Sequence, residues 1–198
     1  MALITWPSTL LPERMGIQLV QPSGGSDASP YSKKRNYFRL PSDYWRASLS
    51  WTSAREAQWR DIQGFVATLG GRAGRFLLAD PGYSGALGGN TGGTVTATGT
   101  ANAATVTLAG LGGTNPALKR GDRLSIGERL YIITADANHS GGGATVSIAP
   151  RLRATVSGAA VNLTAPIGTF SLVDDAQGGI SLRPPLFAEV SLELVEPT

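Results

Sequence analysis

One histidine, one pair of aspartates, one glycine-rich turn and a short basic run are where side-chain type and spacing in these 198 residues suggest chemistry. His139 lies in the glycine-rich loop Asn138–Gly143, with Asp136 as the carboxylate nearest in sequence. A general base needs an imidazole oriented by a partner, and this setting reads instead as a solvent-exposed turn residue. Asp174 and Asp175 could share acid–base work or offer oxygens to a hard cation. They precede Gln177-Gly-Gly179, however, and read as turn residues. Gly70-Gly-Arg-Ala-Gly74 resembles an anion-binding loop only faintly, since the exit of a helix explains its glycines. The chain contains no cysteine, which removes disulfides, thiolate nucleophiles and Cys-ligated metals. It contains no Gly-x-Ser-x-Gly, no phosphate-binding P-loop and no His/Glu zinc helix. Asn138-His-Ser and Asn162-Leu-Thr match the glycosylation triplet, a pattern common by chance. No catalytic residue, metal ligand set or cofactor site is assigned, and the chain reads as a non-enzyme.

The basic residues offer binding. Lys33, Lys34 and Arg35 stand between Tyr31 and Tyr37, interleaving charge with aromatic rings as nucleic-acid surfaces do. Lys119, Arg120, Arg151 and Arg153 are expected to line one side of a small barrel. The net charge is only +3, with acids interspersed, so contact with another protein subunit fits better than nucleic acid. Lys and Arg outnumber Asp and Glu over residues 1–165, whereas the reverse holds over 166–198. A basic body with an acidic end favours head-to-tail contacts between copies.

The elements that must position these residues are mostly strands. The 26 glycines and 12 prolines favour turns and short strands over long helices. Met15–Val20, Asn36–Leu40 and Tyr44–Trp51 read as strands, with residues 21–30 as a loop. Trp45, Ala47, Leu49 and Trp51 fall on one face at period two. One amphipathic helix is predicted over 53–69, with Ser53 as cap, Glu56 closing a capping box, and Trp59, Ile62, Phe65, Val66 and Leu69 as its apolar stripe. Gly70-Gly71 ends it, and Arg75–Ala79 follows as a buried strand.

At Pro81 the composition changes. Residues 82–166 hold Tyr83 and Tyr131 as their only aromatics and are dense in Gly, Ala, Thr and Val. Val95–Thr98, Thr105–Leu108, Arg123–Ile126, Leu130–Ile133 and Thr145–Ala149 are five strand candidates without a helix, suggesting a small OB-like barrel. Gly168–Val173 and Phe187–Leu194 return to longer strands. The fold expected is mainly β. Residues 1–81 and 167–198 form a discontinuous β-sandwich with one amphipathic helix, and 82–166 form an inserted small OB-like β-barrel. No stretch approaches the roughly 18 apolar residues of a membrane span, and the N-terminus lacks the pattern of a signal peptide.

That layout, together with Leu118-Lys-Arg-Gly-Asp122, Leu130–Asp136, Ala144–Arg153 and Gly158–Val161, resembles the distal tail proteins of long-tailed bacteriophages (siphoviruses), in the variety carrying an OB-like inserted barrel. The resemblance implies a structural virion protein of the tail tip, made in the host cytoplasm. It implies a homo-oligomeric ring, typically a hexamer, joining the tail tube protein to the hub, baseplate or fibre proteins. DNA would pass through its channel without specific binding. Ring closure needs complementary heterologous surfaces. Trp6, strand edges and the 21–35 loop with Tyr31, Lys33, Lys34 and Arg35 are the candidate suppliers. An alternative is a carbohydrate-binding or host-adhesion module, which would need exposed aromatics in the insert. Tyr131 sits in an apolar run and is expected in its core.

Overall fold

The period-two stretch around Trp45 becomes the longest strand of a computed structural model that describes residues 3–25, 30–91, 93–183 and 187–197. In chain order the strands are β1 (Ile4–Thr5), β2 (Arg14–Val20), β3 (Ser23–Gly25), β4 (Tyr37–Arg39) and β5 (Tyr44–Ala54). Helix α1 (Glu56–Leu69) and β6 (Phe76–Ala79) come next. A run of six follows: β7 (Val95–Gly99), β8 (Thr105–Ala109), β9 (Arg123–Ile126), β10 (Arg129–Ile133), β11 (Gly143–Ala149) and β12 (Val156–Asn162). The chain ends with β13 (Ile167–Leu172), β14 (Ser181–Arg183) and β15 (Phe187–Val195). The protein is mainly β, with this one α-helix among the described residues.

The outer segments build one sheet in the order β1-β6-β13-β15-β5-β2, with β14 added to β15. Strand β13 pairs with β6 through residues 167–170 and with β15 through 171–172, so it hands the sheet from one half to the other. Neighbouring strands lie about 4.8 Å apart, so a flat sheet would hold β1 and β5 about 19 Å apart. Yet Trp6, just past β1, stacks on Trp51 of β5 at 6.2 Å between ring centroids. The two halves therefore face each other as a sandwich around one core. Ala47, Leu49 and Trp51 meet Leu194, Leu192 and Val190 across the β5–β15 ladder, all buried. Ile62, Phe65 and Leu69 of α1 join Phe76, Leu78, Phe170 and Leu172 in the same cluster.

The helix begins later than its sequence suggested. Strand β5 runs on to Ala54, and the Ser53 hydroxyl donates to Glu13 Oε1 at 2.8 Å, so it cannot cap. Arg55 takes the cap position, and Gln58 Oε1 accepts the Arg55 N–H at 3.1 Å. The end is as expected: Gly70 adopts φ 64, a left-handed conformation that costs glycine little. Trp59 lies at the edge of the stripe, half-buried, with the Arg60 guanidinium 5.6 Å from its ring.

Residues 95–162 close into a six-stranded barrel, β10-β11-β8-β7-β12-β9, with every neighbouring pair antiparallel. It has one strand more than the five expected. The extra strand is β12, which slips register between Val156 and Ala159, with Gly158 at φ 64. Val95, Ala97, Val106, Leu108, Leu124 and Val146 fill its interior. Strand β10 is shared between the two cores. Tyr131 and Ile133 point into the barrel, whereas Leu130 and Ile132 pack against the sandwich cluster. A strand buried on both faces shows no alternation, which accounts for the unbroken apolar run Leu130–Ile133.

The barrel leaves and returns at one point. Ala79, the last residue of β6, is the register partner of Ile167, the first residue of β13. At the other end, β2 and β5 run past the sheet: β3 and β4 continue them as a two-stranded ribbon, pairing Gly24 with Phe38 and Gly25 with Tyr37. The segment read as a loop over 21–30 thus contains strand β3, and its residues 26–29 lie outside those described.

Candidate functional site

The ribbon and the seam between barrel and sandwich are two places where polar and apolar groups depart from ordinary placement. On the ribbon the anomaly is apolar. Tyr37 and Phe38 are 68% and 60% exposed, and Tyr31 beyond them is 98% exposed. Lys33, Lys34, Arg35 and Arg39 are exposed beside them. The sequence-predicted basic–aromatic group therefore comes together on one projecting arm. Two-stranded ribbons are marginal in water because no third strand or helix covers a face. Part of the support is local. A Cβ on Gly24 would fall 2.3 Å from the Phe38 ring, so that ring lies directly over the glycine opposite it.

At the seam the anomaly is charge. Glu196, only 4% exposed, binds Arg129 Nη1 through Oε1 at 3.1 Å and the Trp45 N–H through Oε2, also at 3.1 Å. Arg153 Nη2 stands 3.6 Å from the same Oε2 and donates to the backbone carbonyl of Asp43. Asp43 is buried as well, and its Oδ2 accepts from Arg39 and from Gln21 Nε2. The Trp45 indole donates to the Leu130 carbonyl at 2.8 Å. Two further ties hold the barrel. The Glu128 carbonyl accepts from both N and Oγ1 of Thr169 at 3.0 Å, and Arg123 pairs with Asp80. The Tyr83 hydroxyl donates to the Arg123 carbonyl at 3.1 Å and accepts the Arg123 N–H at 2.9 Å. Burial raises the Tyr83 and Tyr131 phenols above their ordinary value of 10.0, and both stay neutral at physiological pH.

Two sequence expectations are corrected here. Trp6 does not stand free for a partner. Its indole donates to the Leu10 carbonyl at 2.9 Å, and its ring packs edge-on to Phe65 at 4.9 Å and against Phe76 at 5.6 Å. Its place among apolar neighbours at the N-terminus gave no hint of three aromatic partners from β5, α1 and β6. Arg153 does not line an open barrel face either, because Asp43 and Glu196 hold it in the seam. Lys119 and Arg120 are exposed in the turn before β9, and Arg151 is exposed with Nη1 donating to the Asn102 carbonyl at 3.2 Å.

Candidates for chemistry find structural employment. The Asp136 Oδ1 accepts the Arg120 N–H at 2.8 Å, while His139 exchanges hydrogen bonds with Asn115 and the Gly113 carbonyl. Asp175 Oδ1 accepts the Arg72 N–H at 2.8 Å, pinning the 173–179 turn to the helix exit. No group of three His, Asp or Glu residues able to hold a metal occurs among the described residues. No helix among them is long and apolar enough to cross a membrane. A cleft of about 360 Å³ lies between the two sheet edges, lined by Trp6, Leu11, Pro12, Met15, Leu77 and Ile167. Its lining is mostly apolar, with Thr5 and Ser8 among it.

The sequence matches no protein-family model and no curated protein. Of the insert's two aromatics, Tyr131 lies in the barrel core and Tyr83 is half-buried with the Arg123 guanidinium 5.9 Å from its ring centroid.

Proposed function

We propose that this chain is a structural subunit of a phage tail tip that assembles into a ring, a hexamer, between the tail tube and the hub, baseplate or fibre proteins. Its channel passes DNA without reading it. The protein works by shape and docking, without turnover. The observation that carries this reading is the projecting arm. It exposes Tyr31, Tyr37 and Phe38 beside four cations. Exposed rings on an unsupported ribbon gain stability when a partner surface excludes water from them. Aromatic side chains and arginine are the residues enriched at the cores of protein interfaces.

A second copy is the natural partner. Each copy carries both the basic arm and an acidic C-terminal segment, with Glu189 and Glu193 on the side of β15 opposite the core. An arm at one end and its receiver elsewhere on the same molecule make a heterologous contact, which closes into a ring when the rotation per copy permits. The barrel, held at the seam, projects from the ring as the surface offered to other tip proteins.

Light scattering on the purified chain, followed by negative-stain imaging, tests the assignment. The expected result is a ring with a central hole, formed by the chain alone or on tail-tube rings supplied as template. A chain that stays monomeric under both conditions would overturn it.

A further inference from the structure

The seam contains an unmatched donor and an unmatched acceptor. Asp43 Oδ1 and Arg153 Nε are both buried and lack hydrogen-bond partners, although Arg153 already reaches the Asp43 backbone carbonyl. Buried polar atoms are nearly always satisfied, so two complementary orphans on adjoining residues mark a network with a second arrangement available. In the observed arrangement Asp43 spends Oδ2 on Arg39, which belongs to the arm, and Arg153 leans on Glu196. In the other, the Arg153 guanidinium faces the Asp43 carboxylate as a two-point fork, and Glu196 keeps Arg129 alone.

We propose that Arg39, Asp43, Arg153 and Glu196 form a relay that ties the position of the arm to the angle of the barrel on the sandwich. When a partner draws Arg39 away, Asp43 is left as a buried anion without its cation. That state is costly, and Arg153 is the cation placed to relieve it. Arg153 lies in the turn between β11 and β12 and is rooted in the barrel by Leu152, which is buried there. Its transfer from Glu196 to Asp43 therefore shifts the barrel relative to β5. Arg39 is the natural trigger because its side chain is 55% exposed, against 4% for Asp43. The relay gives the assembly reading above a conformational consequence, but its test uses the isolated chain. Assembly can fail while the relay stands, and the reverse.

The absence of cysteine allows clean spin labelling of Gln63→Cys on α1 and Thr107→Cys on β8, both exposed. Double electron–electron resonance on the labelled full chain, kept monomeric by dilution, should give one distance population. Arg39→Gln, which mimics arm withdrawal at a half-exposed site, should add a second, displaced population. Adding Asp43→Asn should restore the single population, because Arg153 then has no second carboxylate to join. Should Arg39→Gln leave the distance unchanged, or should Asp43→Asn fail to reverse its effect, the relay is refuted.

Discussion

The arm and the seam invert the usual placement of side chains. The arm turns aromatic rings out to water, while the seam draws carboxylates and guanidinium groups in from it. The difference separates two tasks. Apolar exposure is a standing cost that a partner removes, so it marks where the molecule is unfinished. Buried charge is directional, because an ion pair is favourable only when each group meets its own partners. It therefore fixes how two bodies sit rather than how tightly they cohere. The sandwich and the barrel each have an apolar core, and the seam adds the angle between them.

The contrast can be broken from the interior outward. Phe76→Ala, at a fully buried ring that also contacts Trp6 and Phe65, should cost about 3–5 kcal/mol in urea unfolding. This sets the scale for core loss. Glu196→Ala should cost about 3 kcal/mol, since it strands Arg129 and Arg153 at the seam. Glu196→Gln should recover part of that loss by keeping the acceptor for the Trp45 N–H. Deleting residues 82–166 should leave a folded sandwich, but one in which Trp45 fluorescence shifts to the red, because the indole loses the Leu130 carbonyl.

At the arm the pattern reverses. Phe38→Asp should leave unfolding within about 0.5 kcal/mol of the parent while abolishing oligomer formation in light scattering. A loss of stability without a loss of assembly would place Phe38 in a core and would dissolve the contrast. The smallest effect is a titration. Glu13 is held down to about 2, chiefly by the Thr52 hydroxyl, then by the Thr52 N–H and the Ser53 hydroxyl, and least by the Ser53 N–H. Its folded value lies below its unfolded one, so its contribution is complete above pH 4.5 and disappears as pH falls towards 2. Glu13→Gln should flatten the acid limb of the stability curve over that window.

Much of the scaffold was legible because its signals are local. The alternation over Tyr44–Trp51 and Phe187–Leu194, the helix stripe and the compositional break at Pro81 each sit within one segment. The missed strand β12 has a different history. Its bulge at Gly158 breaks period two, and its small residues leave little contrast between faces. Ser53 as a helix cap failed because Glu13, forty residues away, had claimed its hydroxyl. The arm was half legible: Tyr31, Lys33, Lys34 and Arg35 stood out, but Ser23-Gly-Gly25 gives no strand signal without Phe38 lying across it. The seam was illegible as a site. Asp43, Arg129, Arg153 and Glu196 are scattered along the chain, and only the return of β15 beside β5 gathers them.

The pairing of Ala79 with Ile167 means that the sandwich meets the barrel as a single junction between two strands already hydrogen-bonded to each other. Whatever is spliced there need only begin and end side by side for the two host strands to keep their pairing. Over evolutionary time such a joint is a socket. Lineages can exchange the module it carries, or lose it, with selection at the boundary falling on the groups that clasp it: Trp45, Asp43, Asp80, Thr169 and Glu196 on one side, Leu130, Ile132, Arg123, Glu128, Arg129 and Arg153 on the other.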